Sequence, residues 1–280
     1  MISKRASERL AFALMAAAAI AIVAPVLFVV VFVLAQGLPG LSWEFLTEMP
    51  RRGMKAGGIF PAIYGTVLLI VGTAVFSVPI GVGAAVYLSE YAQDNRFTRL
   101  VRIAIVNLAG VPSVVYGLFG LGIFVIFLGF GASILAGSLT LAILITPVII
   151  TASEEAIRAV PQDFRQASLA LGATKWQTVR HQVIPYALPG IITGIVLGLG
   201  RAAGETAPIL FTAAAFFLPR LPTSPFDQVM ALPYHLFVIT TQVPNMPPRI
   251  QYGTALVLLA LVLSSYVIAT LIRARLRVMR

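Results

Sequence analysis

Long apolar stretches, separated by short polar or basic turns, run along the whole chain. A helix needs about 20 apolar residues to cross the hydrocarbon core of a bilayer. Six stretches are long enough: Leu10–Ala35, Ile59–Leu88, Ile103–Leu128, Ile134–Ala152, Leu188–Phe217 and Tyr252–Ile272. The pattern predicts an all-α, polytopic membrane protein with six transmembrane helices. The first stretch exceeds the roughly 7–15 residues of a signal-peptide core. A retained anchor is expected there, with cleavage as the alternative. Pro79, Pro112 and Pro147 each fall inside a span. A proline frees one backbone carbonyl, which hydrocarbon tolerates only where protein or water satisfies it. Three such helices favour a bundle built around a pathway.

Composition agrees with the pattern. The chain is 59% hydrophobic and 11% charged, whereas soluble domains carry about 25% charged residues. Of the twenty Lys and Arg residues, fourteen fall in segments on one side of the expected membrane and five on the other; Arg201 lies within it. The rich side includes Lys4, Arg5, Arg9, Arg96, Arg99, Arg102 and the C-terminal arginines. The positive-inside rule then places both termini in the cytoplasm, in a multi-pass inner-membrane topology. The net charge of +10 is explained by this topology, and no basic run with interleaved aromatics argues for nucleic acid. With no cysteine in the chain, disulfides and thiolate metal sites are excluded. His181 and His235 fall on opposite sides of the expected membrane, so they cannot share a metal. No G-x-x-x-x-G-K-[ST] occurs, so the chain lacks a Walker phosphate loop and is expected to be no enzyme and to hold no cofactor.

One cytoplasmic segment, residues 159–190, differs from the other loops. Pro161 suits a first helical turn. Phe164, Ala167, Ser168 and Leu171 succeed it at helical spacing and form an apolar stripe with small residues at its centre. Gly172 suits a left-handed helix stop. Thr174 and Gln177 form a capping box that starts a second helix. Pro185 and Pro189 are expected to bend the chain into the next span. The stripe must be buried, either on the chain's own bundle or by a soluble partner.

The segment QASLALGATKWQTVRHQVIP resembles the EAA loop of ABC-transporter permease subunits. Gln166, Ala167, Ser168, Gly172, Ile184 and Pro185 stand at the motif positions, with Gln166 in place of the usual glutamate and Ser168 in place of the second alanine. The resemblance implies a coupling helix that docks on an ATP-hydrolysing subunit. The stretches LAGVPSVVYGLFGL, GRAAGETAPILFTA and GGIFPAIYGT look like phosphate-importer permeases, of the PstA kind rather than the PstC kind. The resemblance implies a type I ABC importer architecture (MetI-like). Residues 1–58 would form an N-terminal helix with an outer loop, and 59–280 the permease core. The implied partners are a PstC-like second permease, a PstB-like ATPase dimer that binds ATP and Mg, and a PstS-like phosphate-binding protein, besides membrane lipid. Other oxyanions remain an alternative substrate class, as does ion-coupled transport with Glu205 as proton carrier.

The fifth span carries the candidate pathway. Arg201 lies twelve residues beyond Pro189, roughly 18 Å into a core of about 30 Å. On a continuous helix Arg201 and Glu205 fall at ~20° and ~60°, within the stripe of Gly190, Gly194 and Gly198. They are therefore expected to face protein or a water-filled cavity. Pro208 cannot donate to the Gly204 carbonyl, so the turn of Gly204, Glu205 and Thr206 is expected to be weak. Two readings stand: a self-neutralising pair that stiffens the bundle, or an anion site in which Glu205 holds Arg201. Tyr116, after the Pro112–Ser113 break, either donates a hydroxyl into the pathway or is a satisfied core tyrosine. Glu90 and Asp94 are expected to be solvated, and Glu154 and Glu155 to anchor the loop. The outer loop 219–250 holds seven of the eighteen prolines. Its run FDQVMALPYHLF is expected at the membrane interface, in a stiff surface loop or a docking surface for a binding protein.

Overall fold

A computed structural model describes residues 4–278 of the chain; Arg280, one of the basic residues assigned to the cytoplasmic side, lies outside the described residues. The helices are α1 (Lys4–Gly37), the short α2 (Trp43–Thr47), α3 (Phe60–Val86, continued by a wide π turn through Tyr91), α4 (Arg96–Ala109), α5 (Ser113–Gly120, continued through Phe127) and α6 (Ile134–Arg158). Then come α7 (Gln162–Ala170), α8 (Lys175–Thr178), α9 (Ile184–Gly204), α10 (Ala207–Thr212), α11 (Leu232–Thr241) and α12 (Pro248–Val278). A two-residue hairpin, Pro50–Arg51 with Ala56–Gly57, closes the loop after α2.

Five of these helical runs are long and apolar enough to span a membrane. The third expected span is instead two helices, α4 and α5, bent by 101°. The cause is local. Pro112 offers no donor and pushes Val111 out of helical geometry. The Tyr116 hydroxyl then donates to the Leu108 carbonyl across the bend, at 2.7 Å. Pro79 and Pro147 sit within unbroken helices, so of the three only Pro112 breaks its span.

Contacts at the two ends of the bundle give six traverses. At one end, Arg165 of α7 meets Glu90 after α3, and Arg102 of α4 meets Glu154 of α6. At the other end, Ser133 and Ile134 donate their amides to the carbonyls of Thr212 and Asp227, Phe130 packs on Phe226, and Gly40 abuts the Arg249 backbone. The bent α4–α5 pair thus joins the two ends as one broken crossing.

The core is built on α3, α6 and α9. Gly190 and Gly194 of α9 lie against Ala156 and Ala152 of α6, so closely that an added Cβ would come within 2.5 and 2.6 Å of those side chains. Small residues let the backbones approach where apolar burial alone supplies no drive inside lipid. α1 is peripheral, with no residue of its membrane window fully buried. It meets α12 through an edge-to-face pair, Phe32 with Tyr252.

The run at 226–237 departs from the expected interface loop. Val229, Met230, Ala231 and Leu232 are almost completely buried. Reciprocal backbone bonds explain this: Val229 donates to Ala213 and Ala215 donates to Val229, at 3.0 and 2.9 Å. Thr66 of α3 then accepts the Leu232 amide at 2.8 Å while donating to its own helix at Ala62. Thr66→Val keeps the shape but strands that buried amide, which costs about 1–3 kcal/mol. A lower thermal unfolding midpoint in detergent is the expected result, and an unchanged midpoint would show that the contact does not hold α11 in place.

Candidate functional site

The fifth span is broken where Pro208 predicts. α9 ends at Gly204, Glu205 is extended with φ −73° and ψ 131°, and helix resumes only at Ala207. The helical angle rule therefore stops one residue short of Glu205, and its place in the glycine stripe is corrected. The two charges nonetheless meet, with Arg201 Nε donating to Glu205 Oε1 at 3.3 Å. Glu205 is the more enclosed side chain, 16% exposed against 39% for Arg201. It borders a cavity of about 10 Å³ that Thr66, Leu69 and Ile70 of α3 also line, together with Ala231 and Pro233. That is the space of about one water molecule. Arg201 reaches the surface of the chain and is partly exposed there.

Thr206 is half-buried at the start of α10 and makes no capping bond. Tyr116 is buried. Its hydroxyl proton is spent on Leu108, so Tyr116 supports the bend beside the site. The neighbouring Gly117 brings α5 against α10, where a Cβ would meet the Ala207 carbonyl at 2.9 Å.

The 159–190 segment folds as its residues dictate. α7 ends at Ala170 with Leu171 as its cap, Gly172 takes the left-handed φ of 83°, and both bonds of the Thr174–Gln177 capping box are present. Pro185 and Pro189 do not bend the chain away. The helix runs on from α8 through a wide π turn, Val179–Val183, into α9. The wide turn shifts the bonding pattern just where the Pro185 donor is missing. The apolar stripe folds back on the bundle only in part. Phe164, Leu169, Leu171 and Trp176 are exposed, Leu171 to 90%. Gln166 and Ala167 are exposed as well, Ser168 bonds Thr178 at 2.9 Å, and Ile184 is half-buried. Phe164 also packs on the Tyr186 ring of α9.

The sequence profile of the family described as "Binding-protein-dependent transport system inner membrane component" matches residues 77–278. The chain belongs to this family. Among curated relatives it is 34% identical over 272 residues to the "Probable ABC transporter permease protein YqgI" of Bacillus subtilis, covering 92% of each chain. It is 32% identical to the "Probable phosphate transport system permease protein PstA" of Methanocaldococcus jannaschii, over 87% of this chain and 85% of that one. A "Phosphate transport system permease protein PstA 1" of Mycobacterium tuberculosis is 45% identical, over 55% of this chain and 51% of its own length. The fold is shared with the MetNI methionine ABC transporter in inward-facing form, at TM-score 0.60, 17% identity and 78% and 97% coverage. It is also shared with a bacterial alginate ABC transporter solved with its periplasmic protein, at TM-score 0.63, 14% identity and 92% and 93% coverage. This family member is thus a multi-pass inner-membrane permease subunit with the importer architecture expected from its EAA-like loop.

Several contacts of this permease escape sequence reasoning. Glu90, expected in water, is 9% exposed and paired with Arg165. Glu154 is held by Arg102 at 3.0 Å and Arg158 at 2.6 Å, while Glu155 and Asp94 are exposed. Arg158 lies four residues from Glu154, a spacing that signals pairing; the 75-residue separation of Glu90 and Arg165 gives no such signal.

The loop yields one direct test. Gly172 has open space around it, so only its backbone resists replacement. Gly172→Val forces a β-branched residue into a left-handed turn. Loss of co-purifying ATPase, or of transport with ATPase retained, is the expected outcome. Unchanged assembly together with unchanged transport would count against the loop's role.

Proposed function

We propose that this chain is one of the two permease subunits of an ATP-driven importer of inorganic phosphate. The observation that carries the proposal is the helix break at Glu205–Thr206, which presents Arg201 and Glu205 inside an otherwise apolar span. Ionisable groups there are costly and mark transport pathways. A guanidinium offers a planar fork matched to the oxygens of phosphate. Glu205 occupies the Nε–H and leaves the rest of the fork for an anion. Its negative charge also repels the anion, which keeps binding weak enough for release. Thr206 and Tyr116 stand beside this path, and Tyr116 holds its shape. The names of the relatives in Methanocaldococcus and Mycobacterium support phosphate over other oxyanions.

The partially exposed Arg201 faces a second, PstC-like permease across the pore. The loop 159–190, with Phe164, Leu169, Leu171 and Trp176 exposed on it, docks on a PstB-like ATPase dimer, which binds ATP and Mg; this chain contributes no nucleotide site. Both termini and the loop lie in the cytoplasm, and a PstS-like phosphate-binding protein delivers the anion from outside. ATP binding draws the ATPases together, moves the loop, and switches the bundle between inward and outward access.

Arg201→Gln keeps length and polarity but removes the charge. Phosphate uptake into proteoliposomes should fall to background while the complex still assembles; uptake at the wild-type rate would sink the pathway role. Hydrolysis of ATP by the wild-type complex should rise with phosphate-loaded binding protein and not with sulfate or molybdate. Equal stimulation by all three would exclude phosphate specificity. Cysteines at Gln177 and Phe226, both exposed, should react with an impermeant thiol reagent from opposite sides of the membrane. Labelling from one side would overturn the topology.

A further inference from the structure

One guanidinium ties the exposed loop helix to the bundle. Arg165 of α7 donates to Glu90 through Nη2 at 2.7 Å and Nε at 3.2 Å. The same side chain donates to the carbonyls of Val160 and Ile157 at 2.6 and 2.9 Å. Those carbonyls belong to the end of α6 and the turn after it. Arg165 therefore joins three elements: α7, the end of α6 and the π turn that ends α3. The pair is enclosed, at 12% and 9% exposure, although α7 around it is mostly exposed. A second link runs in parallel, with the Lys175 ammonium of α8 5.0 Å from the centre of the Tyr91 ring in the same π turn.

A pair this enclosed is a poor choice for stability alone, since desolvation consumes most of what the attraction returns. It is well suited to fixing geometry. α3 runs from this turn toward Thr66, Leu69 and Ile70, which border the cavity at Glu205. From Glu90 to Leu69 the helix spans roughly 30 Å at ~1.5 Å per residue. Along the way Gly81 lies against Ile149 of α6, so closely that an added Cβ would come within 2.7 Å of that side chain.

We propose that the Glu90–Arg165 clasp makes α7 and α3 move as one body, so that displacement of the loop by its ATPase reaches the Glu205 cavity through α3. The inference rests on the proposed docking of an ATPase at residues 159–190. Glu90 and Arg165 are positioning residues here; neither touches the anion or the nucleotide.

The test uses the full complex in proteoliposomes with its ATPases and phosphate-loaded binding protein. Glu90→Gln removes the charge while leaving the Arg165 bonds to Ile157 and Val160 in place. The expected result is normal ATPase co-purification and normal basal hydrolysis, with binding-protein stimulation and uptake both reduced by about fivefold or more, the range of coupling between linked sites. Glu90→Asp, which keeps the charge, should recover most of the loss. Unchanged uptake in Glu90→Gln would overturn the inference. Loss of the ATPase from that complex would also overturn it, since the pair would then serve docking alone, as would a Glu90→Asp complex no better than Glu90→Gln. If instead the wild-type complex fails to couple ATP hydrolysis to uptake, it is the proposed function that fails.

Discussion

A charged pair inside a membrane helix must be satisfied by protein or by water, and the arrangement of this bundle is shaped by meeting that demand at Arg201 and Glu205. The pair is stabilising only in a fixed geometry, because two groups withdrawn from water gain little unless their hydrogen bonds are complete. The fold supplies that geometry from several directions. The glycines of α9 seat it on α6 at Ala152 and Ala156. Pro208 ends the helix so that Glu205 turns out of line yet stays within reach of Arg201. Gly117 brings α5 against α10, and Thr66 draws the start of α11 over the same cavity. Each of these contacts uses a small residue or a single hydroxyl, as expected where lipid removes the hydrophobic drive between helices.

The two ends of the bundle solve different problems. At one end, amides of α6 donate to the carbonyls of Pro225 and Asp227 while Val229 pairs with Ala213 and Ala215, so buried chain without regular helix costs little. Asp227 closes the turn there by accepting from the amides of Thr223 and Ser224, which holds its carboxylate below the usual range. At the other end, arginines do the work. Arg102, Arg158 and Arg165 gather Glu154, Glu90 and the carbonyls of Leu88, Ile157 and Val160. Part of the chain's basic excess thus stitches the ends of α3, α4 and α6 together. Against that polar frame, Leu169 and Leu171 at the end of α7 stand exposed.

Much of this was legible in the residues because it depended on local rules. The capping box at Thr174–Gln177, the left-handed Gly172 and the break before Pro208 each involve positions within four residues of one another. So does the apolar length of the spans. What escaped was set by distant partners or by choices between two local solutions. Pro112 produced a 101° bend and Pro79 none, since only Pro112 has a glycine two residues before it and a tyrosine hydroxyl to bridge the gap. Pro185 was absorbed by a π turn rather than a kink. Glu90 reads as a solvated turn residue until Arg165, 75 residues away, is folded against it. The run at 226–237 reads as interfacial until its strand-like pairing with Ala213 and Ala215 buries it.

The central claim is that an anion occupies the space beside Arg201 at the broken helix. Gly204 borders the break, is exposed, and has room for a side chain, and the chain contains no other cysteine to confuse a Gly204→Cys label. In the assembled complex, phosphate is predicted to slow modification of that cysteine by a small anionic thiol reagent, and Arg201→Gln to abolish the protection. Modification at the same rate with and without phosphate, or protection that survives the loss of Arg201, would contradict the account.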